Sequence, residues 1–589
     1  MLSVGKLTAG AEDYYLKTVA EGAEEYYLGS GEAPGYWLGS GADKLGLAGE
    51  VDPDYLRALL AARVPVTGEP MGLRQKAGAR VAGFDLTFSS PKSVSLLYGL
   101  ASPDTSEAVR AAHDAGVAAG VAYLDLHGAF ARRGAGGARR IGTAGLVGAA
   151  FRHRTSRSGD PQLHTHVLVA NAVEAGDGRW SALDARVTYY HARTAGFVYE
   201  AVVRHELATR LGLSFTSVVN GIAEIGGVGA GAIRAFSTRR LAIQERLAEW
   251  GSDSPRAAQL ATLATRPAKQ VGKVGGDAND HGTLTDAWRA RARQIGLEPA
   301  HLEALTGPHR LLHLDGGTVG EIADHLLSPE GLTAQVAAFE RRDVVREVAA
   351  SCPDGASLTV IEHIANEVMA SPEMVALGTT GPGGEERHTT RELLAIEKAL
   401  RDTALASTST GRAQASEERV AGIIRQRPTL SAEQAGMVRR AVTSGDGVEM
   451  VIGVAGAGKT YALDAAREVW EKEGHRVYGA ALSARAAGGL AEGAGLDATT
   501  IAFFEMSLDD GSIRLGRGDV VVVDEAAMVG TRTLARIVDA ADRAAAKVVL
   551  VGDDRQLPNP HRFESTCGSW RLRYHEFACK RMSSTVSPR

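Results

Sequence analysis

The chain has 589 residues, of which 44% are hydrophobic and 23% charged. At roughly 100–200 residues per domain, this length predicts about three or four domains, and the ordinary composition excludes a chain that is disordered throughout. No run of ~18 apolar residues predicts a membrane span, and the N-terminus has no signal-peptide pattern. Three cysteines cannot form a disulfide framework, which predicts a reducing, cytoplasmic setting. The net charge of -5 argues against indiscriminate coating of nucleic acid but permits a local basic groove.

The first part of the chain mixes strands with helices. Residues 80–97 alternate apolar and polar positions and then pass through Ser-Ser-Pro, which predicts a strand, a turn and a helix that begins near Pro91. Two further strands are predicted at 146–153 and 163–172.

The rest of the chain changes character three times. Residues 226–425 are predicted to be mostly helical, with a flexible loop or hinge at 378–386. From 426 to 558, apolar runs alternate with helical segments, which is typical of a parallel α/β sheet. The tail from 559 holds two of the three cysteines and is rich in Lys, Arg and aromatic residues, unlike the rest.

Three histidines predict a metal site. His164 and His166 are two residues apart on a strand, so they point to the same face about 6–7 Å apart along the chain. His153 on a neighbouring strand can complete a three-nitrogen site with open positions, which suits a divalent metal acting as a Lewis acid. Histidine alone favours zinc, whereas a phosphate-bound site could carry magnesium or manganese. In isolation, such a pair of histidines is more often simply polar and exposed.

An arginine-rich segment contains His153 and precedes the other two histidines in the chain. Residues 128–159 contain seven arginines and no acidic residue. Such a segment can follow a phosphate backbone, although a solvated surface loop is the alternative and arginine number alone gives no sequence preference. The arginines assigned to DNA binding are Arg132, Arg133, Arg139, Arg140, Arg152 and Arg154.

Two tyrosine pairs stand near the N-terminus, at 14–15 and 26–27. A phenol is an adequate nucleophile on phosphorus once a metal or a base assists its deprotonation, and its product is a covalent phosphodiester that conserves the bond energy. Taken alone, paired tyrosines are more often packing residues.

Three segments together resemble one protein family. They read YYLKTVAEGAEEYY, FDLTFSSPKSVS and FRHRTSRSGDPQLHTH, and they are similar to the relaxase domain of MobF-class conjugative DNA-transfer proteins, a branch of the HUH endonucleases. The resemblance covers roughly residues 1–300. It implies a five-stranded antiparallel sheet flanked by helices, with the histidines on central strands, and nicking of one DNA strand at a transfer origin.

The same resemblance implies roles for individual residues. Tyr14 would attack the scissile phosphate, leaving a 5′-phosphotyrosine link and a free 3′-OH, and Tyr26 would serve a second transesterification that ends transfer; Tyr15 and Tyr27 could substitute. Asp85 matches the family's acidic residue near the histidines and could take a proton or orient a ring. Single-stranded origin DNA, relaxosome components and secretion-coupling proteins are the implied partners.

A second motif predicts a nucleotide site. Residues 453–460 read GVAGAGKT, which matches G-x-x-x-x-G-K-[ST], after an apolar strand and before a helical stretch. The loop of Gly453, Gly456 and Gly458 would cradle the phosphates of ATP, Lys459 would reach the β/γ oxygens, and Thr460 would ligate Mg²⁺.

Other segments resemble the motifs of a RecD-like superfamily 1 helicase. The run 520–523 precedes Asp524, which would bind Mg²⁺, and Glu525, which would face the attacking water. Gln556 would sense the γ-phosphate, and Gln434 would read adenine. Together these segments imply the first RecA-like lobe of such a helicase.

The motifs predict a multidomain α/β chain with four regions. These are an HUH relaxase domain (1–300), a helical linker region (301–425), a RecA-like P-loop lobe (426–558) and an aberrant tail (559–589). Because a superfamily 1 helicase binds ATP between two lobes, and the tail is too short for a second one, we expect an incomplete helicase lobe that binds nucleotide without processive unwinding.

The leading prediction is a metal-dependent, site- and strand-specific DNA nickase that uses tyrosine. Two alternatives stay open. One is the remnant of an ATP-dependent DNA motor whose N-terminal part only binds DNA. The other is a non-catalytic DNA-binding relic of a mobile element.

Overall fold

The computed structural model describes residues 1–8, 35–73, 81–156, 158–251, 254–265, 283–309, 315–381, 384–453 and 458–552. Tyr14, Tyr26, Gly456 and Gln556 lie outside these residues, as does the predicted tail. The chain divides into two compact units, one of Met1–Ala323 with Arg341–Met369 and one of Asp324–Glu340 with Ala370–Arg589. Residues assigned to the linker region therefore occur in both units, and the predicted limits at 300 and 425 stay predictions.

The first unit combines strands with long helices. Its described strands are β1 (Leu2–Thr8), β2 (Tyr36–Leu38), β3 (Val81–Ser89), β4 (Phe130–Arg133), β5 (Arg139–Gly142), β6 (Gly148–Thr155), β7 (Pro161–Ala170), β8 (Val173–Glu174) and β9 (Trp180–Ser181). The described helices up to residue 370 are α1 (Ser40–Lys44), α2 (Pro53–Leu60), α3 (Lys92–Leu100), α4 (Pro103–His127), α5 (Ala185–Leu211), α6 (Ala230–Ala235), α7 (Thr238–Trp250), α8 (Pro255–Ala264), α9 (Thr283–Gln294), α10 (Pro299–Glu303), α11 (Gly316–Leu327), α12 (Arg341–Ser351) and α13 (Leu358–Ala370).

A five-stranded antiparallel sheet forms the centre of this unit, in the order β1-β3-β7-β6-β2. This confirms the predicted fold class and the strand, turn and helix around Pro91. Along β7, alternate residues Leu163, Thr165 and Val167 are fully buried, whereas the residues between them are half-buried. That period of two orients one set of side chains toward the helices and the other toward the opposite face.

The two faces of the sheet are covered differently. Helices α4 and α5 pack on the first face, where the ring of Phe88 lies 5.4 Å from that of Tyr199. On the second face, Phe151 of β6 and Leu168 of β7 join a smaller core that includes Leu56 of α2. Residues directly opposite in an antiparallel pair share a face, and the pairs His153–His164 and Phe151–His166 therefore place the histidines beside this smaller core.

The second unit contains a parallel sheet. Its described strands are β10 (Phe339–Glu340), β11 (Met374–Thr380), β12 (Glu386–Thr390), β13 (Val448–Ile452), β14 (Val477–Ala481), β15 (Asp497–Thr500), β16 (Val520–Val523) and β17 (Lys547–Gly552). Its described helices beyond residue 370 are α14 (Arg391–Ala406), α15 (Glu417–Gln426), α16 (Ala432–Thr443), α17 (Lys459–Lys472), α18 (Ala484–Ala494), α19 (Ile501–Asp509) and α20 (Thr531–Arg543). The sheet order is β13-β17-β16-β14-β15, and every neighbouring pair is parallel.

The middle region departs from the prediction in one respect. The segment 378–386, predicted as a loop or hinge, joins β11 and β12, which pair antiparallel in a three-stranded sheet with β10. The threonines at both ends of the hairpin favour extended backbone, and Gly378 adopts a φ of 65° near the turn. β12 reads ERHTT and contains no apolar residue, so its sequence carries no alternating pattern that would predict a strand. Among the described residues, none of the helices combines the length and apolar character that membrane crossing requires.

Candidate active site

The three predicted histidines come together on the second face of the antiparallel sheet. Their ring centroids are 5.3 Å apart for His153 and His164, and 5.2 Å apart for each of the other two pairs. The cause is the register of β6 on β7, which sets His153 directly opposite His164.

Hydrogen bonds fix which ring nitrogens face the centre of this cluster. The Nδ1 of His164 lies 2.8 Å from the Gln162 carbonyl oxygen, and the Nδ1 of His166 lies 2.9 Å from both carboxylate oxygens of Asp85. The Thr87 hydroxyl also lies 3.1 Å from Nδ1 of His166. Because a carbonyl only accepts, Nδ1 of His164 carries its proton, and Nε2 keeps the lone pair that a metal needs.

This donor set fits a metal ion chemically. A metal about 2.0–2.1 Å from one nitrogen of each ring would leave the three ring centroids about 5 Å apart. A carboxylate or backbone carbonyl on the far nitrogen is also the usual environment of a ligating histidine. Among the described side chains, however, no group of three or more donors could hold a metal as they are placed. The metal-ligand role of the three histidines therefore stays a prediction.

His113, which the sequence did not point to, contacts β7 from the other face of the sheet. Its Nε2 lies 2.7 Å from the hydroxyl of Thr165, between the two β7 histidines, and its Nδ1 lies 2.8 Å from the Tyr199 hydroxyl. Burial lowers the pKa of His113 well below its usual range, so the ring is neutral and can donate one bond and accept one. A lone histidine in an apolar helix does not indicate from the sequence that it will hydrogen-bond to β7.

The arginine-rich segment is only partly available for phosphate binding. Arg132 pairs with Asp184 at 2.7 Å, and Arg133 holds Asp177 through two bonds of 2.9 Å. The hydrogen bonds from Arg133 lower the pKa of Asp177 to about 2. The carboxylates that pair with these two arginines come from outside the arginine-rich segment, 52 and 44 residues away along the chain. The DNA-binding role of Arg132 and Arg133 stays a prediction.

The other arginines divide into buried and accessible side chains. Arg152 pairs with Asp114 at 2.7 Å with only 11% of its side chain exposed, and Arg154 is also buried. Arg139 and Arg140 lie on β5, where Arg139 is exposed and Arg140 half-buried. The hairpin of β4 and β5 thus carries the most accessible arginines of the predicted set.

The described part of the predicted nucleotide site lies at the carboxyl ends of the parallel strands. Lys459 begins α17, the first helix after β13 in the chain, and its Nζ donates to the Gly453 carbonyl at 2.6 Å. The side-chain amide of Gln434 donates to the Gly458 carbonyl at 3.4 Å and accepts from the backbone N–H of Ser431 at 2.9 Å. Gln434 therefore lies at the edge of the phosphate loop, and its adenine-reading role stays a prediction.

The acidic pair of this site lies at the end of strand β16, which β17 separates from β13 in the sheet. Asp524 follows Val523, and its carboxylate accepts the backbone N–H of Glu525 at 2.9 Å. Glu525 has a φ of 52°, a left-handed conformation that is uncommon outside glycine. Thr460 lies in the first turn of α17, at the carboxyl edge of the same sheet.

Two known protein families match segments of this chain, one in each unit. Residues 8–295 match the family described as TrwC relaxase, and residues 429–563 match an AAA domain. The conjugal transfer protein TraA of Sinorhizobium fredii is 33% identical over 232 residues, 38% of this chain and 21% of that protein. The multifunctional conjugation protein TraI of Escherichia coli is 34% identical over 279 residues, 45% of this chain and 15% of that protein. The chain spans about a fifth or less of the length of these curated relatives.

Solved structures of the relaxase TrwC are also similar. A copper-bound complex with oriT DNA is 33% identical, covers 51% of this chain and 99% of that chain, and has a TM-score of 0.45. A metal-free complex with oriT DNA is likewise 33% identical with the same coverage and has a TM-score of 0.42.

The Asp85–His166 contact generates a prediction about metal affinity. Asp85→Asn removes the negative charge that orients the ring and raises the basicity of its far nitrogen, so we expect the affinity for Zn²⁺ or Mn²⁺ to fall about 10–100-fold. Calorimetric titration of the purified chain measures this. Asp104→Asn, an exposed change in the first turn of α4, is the matched control. Equal affinities in the two variants would contradict the role of Asp85.

Proposed function

Because the chain belongs to the TrwC relaxase family through residues 8–295, we propose that it is a conjugative relaxase that nicks one strand of a transfer-origin DNA. The observation that carries this proposal is the convergence of three imidazoles on one face of the sheet, with ring centroids 5.2–5.3 Å apart. The names of the relatives TraA and TraI, both conjugation proteins, support the same function.

The proposed reaction is a transesterification at phosphorus. The phenol of Tyr14 gives up its proton and its oxygen forms a bond to the scissile phosphorus. The 3′-oxygen leaves and takes up a proton as a free 3′-OH, and a 5′-phosphotyrosine link results. One phosphorus–oxygen bond forms as another breaks, so the step needs no external energy source. Tyr26 carries out a second transesterification of the same kind, which ends transfer.

The chain's own residues prepare the phosphate for this attack. A metal held by His153, His164 and His166 supplies Lewis-acid polarisation of the phosphate when it is bound. Three nitrogen donors suit zinc or copper better than magnesium or manganese, which prefer oxygen ligands. Asp85 holds the Nδ1 proton of His166 and so keeps Nε2 directed toward the cluster.

The proposed substrate is single-stranded origin DNA, which the β4–β5 hairpin would contact through Arg139 and Arg140. Phosphate contacts of this kind position the strand and contribute affinity without reading its sequence. The cytoplasmic setting, the relaxosome components and the secretion-coupling partners predicted from the sequence belong to the same proposal.

We further propose that the second unit binds ATP with Mg²⁺ as a helicase-like lobe. Lys459 and Thr460 at the start of α17, and Asp524 and Glu525 at the end of β16, lie at the carboxyl edge of a parallel sheet, the usual position of such sites. The match of residues 429–563 to an AAA domain supports this assignment.

The test of nicking is a covalent adduct. The full chain, incubated with origin oligonucleotide and Mn²⁺ or Zn²⁺, should form a protein–DNA product that resists denaturation. The double variant Tyr14→Phe/Tyr26→Phe should form none, and His164→Ala should lose at least about 10²-fold in nicking rate because Lewis-acid stabilisation is lost.

Two observations control this experiment. Tyr55→Phe, which removes a phenol hydroxyl from α2, should form the adduct at the wild-type rate. Thermal unfolding of His164→Ala should match that of the wild type. A wild-type chain that binds origin DNA but never forms an adduct would instead support the non-catalytic DNA-binding alternative.

The exposure of the arginine side chains predicts which of them contributes to DNA binding. Arg139→Gln should weaken single-stranded DNA binding and reduce the slope of log affinity against log salt by about 0.7, the value for one lost phosphate contact. Fluorescence anisotropy at several salt concentrations measures this slope. The control Arg57→Gln, on the exposed side of α2, should leave it unchanged. An unchanged slope for Arg139→Gln would remove the hairpin from the interface.

The nucleotide proposal predicts a loss of ATP affinity in Lys459→Ala. A charge-assisted contact to phosphate contributes about 1.5–3 kcal/mol, so affinity for a fluorescent ATP analogue should fall about tenfold or more. Lys472→Ala, at the far end of the same helix and paired with Glu468, is the matched control. Equal affinities for the two variants would show that the loop does not hold the phosphates.

A further inference from the structure

The turn that leads into β7 is fastened to two helices. The Gly159 carbonyl accepts a hydrogen bond of 2.8 Å from the indole nitrogen of Trp288 in α9. The Pro161 carbonyl accepts one of 2.7 Å from the Nζ of Lys92 in α3. Burial lowers the pKa of Lys92 to about 8. Two carbonyls of one short segment are thus held from two directions.

The next residue connects this segment to the histidine cluster. Gln162 donates from its side-chain amide to the Ser90 carbonyl at 3.1 Å. Its own backbone carbonyl accepts from Nδ1 of His164 at 2.8 Å. The orientation of the His164 ring therefore depends on where the backbone of Gln162 lies.

Asp160 is the most strongly held residue of the segment, with only 1% of its surface exposed. Its carboxylate accepts from Arg291 of α9 at 2.8 Å, and from the backbone N–H and the hydroxyl of Thr238 at 2.9 Å and 3.1 Å. Arg291 also bonds the Ala235 carbonyl and stacks 4.7 Å above the Phe236 ring. One buried carboxylate thus joins the turn to the start of α7 and to α9.

These contacts have an energetic consequence. A buried carboxylate is tolerated only when it is paired and hydrogen-bonded, and removing one partner leaves the other charge uncompensated. The partners of Asp160 lie 78 and 131 residues further along the chain. The position of the first residues of β7 is therefore set by tertiary contacts with α7 and α9.

From this geometry we propose that Asp160 and Arg291 form a positioning pair for the histidine site. The pair fixes the segment 159–162, and through the Gln162 carbonyl it fixes the ring of His164. It thereby couples the helical segment α7–α9 to the place where the phosphate would be polarised. The metal part of this inference rests on the proposed function, whereas the positioning of β7 does not.

The experiment compares Arg291→Gln with Arg246→Gln in the full chain. Arg246 lies on α7 in an exposed pair with Glu249, and it serves as the matched control. Amide hydrogen exchange, without added metal, is followed in a peptide covering 161–166. Co²⁺ titration, followed by visible absorption, reports the symmetry and affinity of the histidine site.

In Arg291→Gln we expect faster exchange in 161–166 and about tenfold weaker Co²⁺ binding with an altered spectrum, because outer partners of ligating histidines have effects of that size. Arg246→Gln should match the wild type. Arg291→Lys keeps the positive charge but loses the several donors of the planar guanidinium. It should therefore recover part of the wild-type Co²⁺ affinity and spectrum. Asp160→Asn should reproduce Arg291→Gln. If Asp160→Asn fails to fold, Arg291→Gln alone tests the proposal. The side chain of Arg291 is 40% exposed, so its replacement perturbs the core less.

Two results would overturn the proposal. One is wild-type exchange in 161–166 for Arg291→Gln. The other is an increase of equal size in a peptide of α4, which would indicate general destabilisation. A wild-type chain that binds no Co²⁺ contradicts the proposed metal site, and in that case the exchange data still decide whether Asp160 and Arg291 position β7.

Discussion

The register of β6 on β7 is the constraint on which the candidate active site depends. His153 and His164 are directly opposite each other, and side chains at such positions have Cβ atoms about 4.5–5.5 Å apart. His166 then follows on the same face because the period of a strand is two residues. A slip of one residue would turn the β7 histidines toward the buried face, where α4 and α5 pack. The convergence of three imidazoles is therefore a property of strand pairing, which the hydrophobic pattern of Leu163 and Val167 enforces.

The pairing is secured from outside the sheet by polar contacts that complement this hydrophobic pattern. On the buried face, neutral His113 connects Thr165 of β7 to Tyr199 of α5. At the start of the strand, Asp160 connects it to α7 and α9. Buried polar groups that are fully satisfied specify one arrangement, because any shift leaves a donor or acceptor without its partner. A site that must present a phosphate to a phenol oxygen benefits from this rigidity, since catalysis by electrostatic stabilisation requires groups that are already in place.

What the sequence could predict depends on how local each signal is. The alternation in 163–172 and the apolar run before Asp524 are local patterns, and the structure confirms both strands. The ion pairs of the arginines could not be predicted because charge compensation is a tertiary property: Asp184, for example, lies 52 residues from Arg132. The role of Asp160 was invisible for the same reason. The predicted nucleophiles Tyr14 and Tyr26 fall outside the described residues, so their approach to the histidines stays a prediction.

The proposed chemistry explains why one chain can carry two sites with different energetic requirements. Transesterification exchanges one phosphate ester for another, so under the proposed function the histidine site would cut and rejoin a strand without nucleotide. The second site has a different chemistry, since Lys459 and Asp524 would bind the phosphates of ATP and its Mg²⁺. Because both sites belong to one polypeptide, DNA bound covalently at one site would stay close to the other. A strand held as a phosphotyrosine ester stays tethered to the nucleotide-binding lobe, and tethering converts their encounter from a bimolecular event into an intramolecular one.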